Sequence, residues 1–157
     1  MHVWWCTDSH ISYSPTLFHA AGRVLGPIDI AAIPIGAYEP KWHLHLQHTD
    51  PEGAVRMAMQ MGVKKSIGVH WGTWLMSDEA CKWILACIQA PSPRVVCALS
   101  QCARGRMSLS GLSSSLLNIC ILADNAPPMD LAIARKKLEV DEEAFCVLPA
   151  GKTIVVE

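Results

Sequence analysis

No apolar run in this sequence reaches the ~18–20 residues that a membrane-crossing helix needs. Two apolar pieces, residues 83–88 and 116–122, stop well short. The first eleven residues hold no Lys or Arg ahead of an apolar core, and they include Asp8. A secretory leader is therefore not expected, and a cytoplasmic location is. A basic excess is also missing: 13 Lys and Arg stand against 14 Asp and Glu, a net charge of −1. That excludes the electrostatic footprint of a nucleic-acid partner. The seven cysteines are irregularly spaced, with no Cys-x-x-Cys pair. They read as reduced thiols rather than a disulfide framework or zinc knuckle. Acidic residues are absent from one whole stretch, residues 80–123, which holds seven serines and five of the cysteines. Neither helical nor strand periodicity persists there. What remains is a chain of 157 residues, half of them apolar, enough for one domain with a core.

The pattern is clearest over residues 26–74. Residues 28–34 (IDIAAIP) form an apolar run of strand length between Gly-Pro and Pro-Ile-Gly, the mark of a buried strand ending in a loop. Asp50, Pro51 and Glu52 supply an N-cap, a first-turn proline and a first-turn acid. Ala54, Val55, Ala58 and Met59 then repeat at helical spacing, and Gly62 closes a helix over 51–61. Residues 65–69 (KSIGV) make a second strand, and His70 stands where it runs out. Strand, helix, strand predicts an α/β layer with working residues on the loops at strand ends.

Four of the seven histidines lie in this unit. His70 sits at a strand end, a rigid but open place that suits a metal ligand; the plainer reading is an imidazole hydrogen-bonded in a core. His43, His45 and His48 crowd six residues of a loop. Such crowding is metal-like or active-site-like, although His43-Leu44-His45 alone is ordinary surface alternation.

The runs Ala-Ile-Pro-Ile-Gly-Ala-Tyr-Glu-Pro over 32–40, Gln47-His48-x-Asp50-Pro51-Glu52, and His70-Trp71-Gly72-Thr73 resemble the N-acylphosphatidylethanolamine-hydrolysing phospholipase D family. Those are zinc enzymes of the metallo-β-lactamase fold. The resemblance covers about residues 13–79 and 126–156. It implies the C-terminal half of an αββα metallo-β-lactamase fold with an irregular insertion. By motif match, His70 is the last zinc ligand and Gln47 and His48 lie beside the metals as catalytic residues. Tyr38, Trp42, Leu44 and Leu46 are expected at the substrate, the last three as an apolar lip near the acyl chains. An aspartate of this fold bridges two zinc ions. Asp8, at the end of a strand over 3–6, is the candidate, the alternatives being a plain exposed Asp or twelve residues foreign to the family. The family's Gly-Asp-Thr-Gly-Tyr and His-x-His-x-Asp-His strings do not occur. His43-Leu44-His45-Leu46-Gln47-His48 imitates the spacing of the latter in a different loop.

The implied activity is zinc-dependent phosphodiester cleavage of an N-acylated phospholipid at a membrane surface, releasing N-acylethanolamine and phosphatidic acid. With most ligands missing, whether the chain is an enzyme stays open, and weak zinc binding is expected. A homo-oligomer is one route to a complete site. The alternatives are a non-catalytic truncated α/β fragment and a metallo-β-lactamase-fold hydrolase with a non-lipid substrate.

The rest of the chain divides around this unit. Residues 1–80 are expected as the core's C-terminal half, 81–123 as an atypical insertion whose body runs over 81–122, and 124–157 as a closing helix and hairpin. Ser14 and Pro15 open a helix over 15–25 with Leu17, Phe18, Ala21, Val24 and Leu25 inward and His19 on the surface. Residues 129–138 (MDLAIARKKL) read as an amphipathic helix with Arg135, Lys136 and Lys137 on a solvated face. Residues 145–148 and 153–156 read as a hairpin.

Overall fold

Parallel strands need crossovers, and this chain supplies a helix in each one described. The computed structural model describes residues 1–5, 13–72, 77–79, 126–149 and 151–155. Along these run β1 (Val3–Trp5), α1 (Pro15–Leu25), β2 (Ile30–Pro34), α2 (Lys41–Leu44), α3 (Pro51–Met61), β3 (Lys65–Val69), α4 (Ala126–Leu138) and β4 (Phe145–Val147). The sheet is parallel throughout in the order β1-β2-β3-β4. Trp4, Ala31, Ser66 and Phe145 stand in one row across it, and Trp5, Ala32, Ile67 and Cys146 in the next. Side chains alternate faces along a strand. The Trp4 row therefore meets the helices, where Phe18, Met57 and Leu131 join Ala31, Ile33 and Phe145 in one core. The other row looks away, with Trp5 67% exposed.

Helix α3 forms where the local signals agree. Asp50 Oδ1 accepts from the Gly53 N–H at 2.7 Å. Pro51 follows at the first position, and Gly62 closes the helix in the left-handed conformation (φ 64°). Ala54, Val55 and Ala58 are buried as the pattern predicts, but Met59 is exposed, and Met57 and Met61 fill the core instead. Helix α1 has the expected ends, yet Leu17, Val24 and Leu25 are exposed and only Phe18 is fully buried. The reason lies at Gly22, where an added Cβ would stand 2.7 Å from the Met61 Cα. The two helices touch through that glycine, so the inward stripe is Phe18, Ala21 and Gly22. His19 is exposed, as expected.

Four further boundaries differ from expectation. Strand β2 starts at Ile30 rather than residue 28 because Asp29 ties the strand starts together. Its N–H bonds the His2 carbonyl, and its carboxylate accepts from the His2 N–H at 2.7 Å and Lys64 Nζ at 2.6 Å. These partners, Lys64 first, lower the Asp29 pKa to about 2. Helix α4 starts at Ala126 and includes Pro127 and Pro128; first-turn N–H groups have no intrahelical acceptor, so prolines there cost nothing. The terminal hairpin does not form among the described residues. Strand β4 takes β3 as its partner, in parallel, and Val155 is 77% exposed. Arg135 is not on a solvated face: its side chain is 13% exposed and donates to the Phe145 carbonyl at 2.7 Å. Lys137 is exposed and reaches Glu52 at 2.9 Å. Cys146 is a free thiol; the other six cysteines, Asp8 and the span 81–122 lie outside the described residues.

Candidate active-site edge

The C-terminal ends of β2 and β3 build the site. Beyond Pro34 the chain continues with the Ile35 N–H bonded to the Val69 carbonyl at 3.0 Å, so the two strands stay side by side to their ends. Both then turn through left-handed backbone, Ala37 at φ 63° and His70 at φ 62°. That conformation costs an L-residue roughly 1–2 kcal/mol, and such strain concentrates at functional sites. The Trp71 indole folds back and donates to the Gly68 carbonyl at 3.0 Å.

From the other side comes the histidine loop. It is not structureless: Lys41–Leu44 form the single turn α2, and the His48 N–H bonds the Leu44 carbonyl at 2.9 Å. This turn delivers His48 against His70. The two imidazoles stack with centroids 5.5 Å apart and planes inclined by 29°. Sequence reading expected these two on one edge of the layer, and there they lie. His43 and His45 are exposed; the His43 ring meets Trp42 at 5.4 Å, and His45 Nδ1 lies 2.8 Å from the Lys41 carbonyl.

Beside the pair is a cavity of about 130 Å³ lined by Tyr13, Tyr38, Lys41, His45, His48, Thr49 and Asp50. Tyr38 forms part of its wall and is held twice. The Glu79 carboxylate accepts its N–H at 2.5 Å, and its hydroxyl donates to Asp130 Oδ2 at 2.5 Å. Burial first, then the Asp130 bond, pushes the phenol far above its ordinary pKa, so Tyr38 is a neutral donor and not a base. Lys41 Nζ sits 2.6 Å from Asp50 Oδ2, the bond that raises the lysine's pKa. Gln47, Trp42 and Leu46 are exposed and Leu44 is half-buried; none of the four lines the cavity.

Sequence reasoning missed Glu79, Asp130 and Lys41. Glu79 is buried and also accepts from the Glu39 N–H and the Ser77 hydroxyl. Its partner Tyr38 lies 41 residues away in the chain, and Asp130 lies 92 from the same tyrosine. No local pattern carries such pairings. Lys41 was legible only as the residue after Tyr38-Glu39-Pro40.

Hydrolytic zinc sites fix the ion with three protein ligands and structural sites with four. Among the described residues no group of three or more His, Cys, Asp or Glu side chains is placed to hold a metal ion. The stacked pair alone does not fit zinc. His70 would ligate only together with residues outside those described.

Residues 1–71 match the beta-lactamase superfamily domain. The matched range includes the opening twelve residues. N-acyl-phosphatidylethanolamine-hydrolyzing phospholipase D 1 of Caenorhabditis elegans is 49% identical over 59 residues, 38% of this chain and 17% of that protein. The mitochondrial N-acyl-phosphatidylethanolamine-hydrolyzing phospholipase D of Saccharomyces cerevisiae is 34% identical over 89 residues, 48% of this chain and 19% of that protein. The matched part thus spans less than a fifth of either relative.

Proposed function

We propose, from the match of residues 1–71 to the beta-lactamase superfamily domain, that this chain supplies one wall of a phospholipid phosphodiesterase site. The reaction would be that named in its relatives, hydrolysis of an N-acylated phosphatidylethanolamine to N-acylethanolamine and phosphatidic acid. The observation that carries the reading is the His48–His70 pair, 5.5 Å apart at the open end of β2 and β3.

An imidazole offers a donor or an acceptor near neutral pH, as a phosphodiester oxygen or a leaving hydroxyl requires. His48 would orient the phosphoryl group through hydrogen bonds, and His70 beside it would be one ligand of a shared metal. Lys41, at the cavity wall, would add positive charge on the same side. Trp42 is 79% exposed and Leu46 68%; on this reading their apolar surface meets acyl chains or the lipid interface rather than a closed pocket. Zinc, if the complete protein carries it, would be held jointly with ligands this wall lacks. Among the described residues the donor set is short, and the helices pack on the Trp4 row of the parallel sheet. The same facts support a second reading, a non-catalytic fragment.

A chimera separates the two. The matched stretch of the Caenorhabditis elegans protein is replaced by that of this chain, and turnover of an N-acylated phospholipid is measured. The proposal expects turnover, reduced by about 10²-fold or more in His70→Ala and His48→Ala. A folded chimera without turnover, or one indifferent to both substitutions, supports the fragment.

A further inference from the structure

We infer that Gly36 is a positioning residue for His70, an inference resting on the reading of His48 and His70 as the working pair. A Cβ built on Gly36 would stand 2.1 Å from the His70 carbonyl oxygen, 3.2 Å from its carbon and 3.5 Å from the Trp71 Cα. All three are backbone atoms, so no side-chain rotation relieves the first contact. Real Cβ atoms essentially never come within 3.0 Å, so a side chain here opens the gap by about 1 Å.

The direction of that opening is set by the ladder. Below this level β2 and β3 are locked in register, Pro34 opposite Val69, with Ile35 bonded to the Val69 carbonyl. Only the residues past the ladder can move. On the β3 side that is His70, already in left-handed backbone at φ 62°. The missing side chain lets the His70 carbonyl lie across the end of β2, which seats the imidazole against His48. Working constellations tolerate roughly 0.5 Å, so a shift of this size unseats the pair. Gly36 does not sit in left-handed backbone; what it contributes is the absence of a Cβ.

The test uses the full 157-residue chain and two glycine substitutions. Gly36→Ala fills the contact with His70. Gly62→Ala is the control: it sits at φ 64° with nothing within 4 Å of its would-be Cβ, so it strains a helix end far from either imidazole. Ring-proton cross-relaxation between His48 and His70 is recorded by NMR at one fixed pH, beside thermal unfolding. The inference expects the inter-ring cross-peak to be lost and the His70 ring resonances to shift in Gly36→Ala, with both unchanged in Gly62→Ala. A folded Gly36→Ala that keeps the cross-peak and the His70 shifts overturns it. If Gly36→Ala does not fold, the same spectra are read on Gly36→Ala/Ala37→Gly, whose relieved left-handed residue returns stability. Failure of that variant to fold also overturns the inference, because Gly36 would then serve the sheet and not His70. No outcome depends on turnover, so this result and that of the chimera are independent.

Discussion

Helix α3 and the ends of β2 and β3 lie next to each other and obey opposite rules. In α3 the local signals agree with the structure at all but Met59: Asp50 caps, Pro51 opens, Ala54, Val55 and Ala58 face the core, and Gly62 takes the left-handed position that glycine favours. At the strand ends Ala37 and His70 take that conformation without being glycine, and a carboxylate, Glu79, is buried. Sequences are normally consistent across such levels, and the exceptions cluster where function is built. The contrast points to the strand ends, not the helix, as the place where stability has been exchanged for geometry.

The largest effect should come from the ordinary side of this comparison. Phe145 is fully buried in the core that α3 covers, and Phe145→Ala should cost about 3–5 kcal/mol in denaturant unfolding. A loss under 1 kcal/mol would mean that the core is not packed as described.

That ordinary side was also the legible one. Asp50-Pro51-Glu52 and Gly62 gave both ends of α3, and the run KSIGV gave β3 to the residue. The strand-end position of His70 was legible because strand, His and Gly are consecutive. Legibility failed where a partner is distant in sequence. Gly22 packs on Met61, which turned Leu17 and Val24 outward against their hydrophobicity. Arg135 is drawn inward by the Phe145 carbonyl. Strand β4 pairs with β3, and the described residues 153–155 of its expected hairpin partner stay out of the sheet. The histidine loop offered spacing without a fold, since the turn at Lys41–Leu44 takes its first acceptor from Pro40.

On the unusual side, Tyr38→Phe removes the hydroxyl that Asp130 accepts at 2.5 Å. A hydrogen bond to a charged group contributes about 1.5–3 kcal/mol, and thermal unfolding should show a loss in that range. An unchanged melting temperature would detach Tyr38 from the site's framework.

The two sides should share a preference for glycine over alanine at their left-handed positions, although only the helix already holds one. Ala37→Gly should raise stability by about 1 kcal/mol, and at position 70 Gly should exceed Ala by a similar amount, because left-handed backbone penalises a Cβ. Gly62→Ala in the helix should lower it by about 1 kcal/mol. Melting curves of the three would erase the comparison if all moved the same way.

The smallest effect is a pH one, at neither region. The Asp29 carboxyl is lowered from 3.8 to about 2 by Lys64 and the His2 N–H. Its folded pKa lies below the unfolded one, so its contribution is present above pH 3.8 and fades as the pH falls toward about 2. Asp29→Asn should flatten that part of the acid-unfolding profile, and an identical profile would show that the tie between strand starts adds nothing.

The proposed function gives this chain one wall of a hydrolytic site and not the whole. Zinc stoichiometry of the purified 157-residue chain, measured together with turnover of an N-acylated phospholipid, tests it most directly. Weak, sub-stoichiometric zinc and no turnover are expected, because among the described residues two stacked imidazoles fall short of the three ligands a catalytic ion needs. Stoichiometric zinc with turnover, both abolished by His70→Ala, would contradict it and show that the chain assembles a working site by itself or with its own copies.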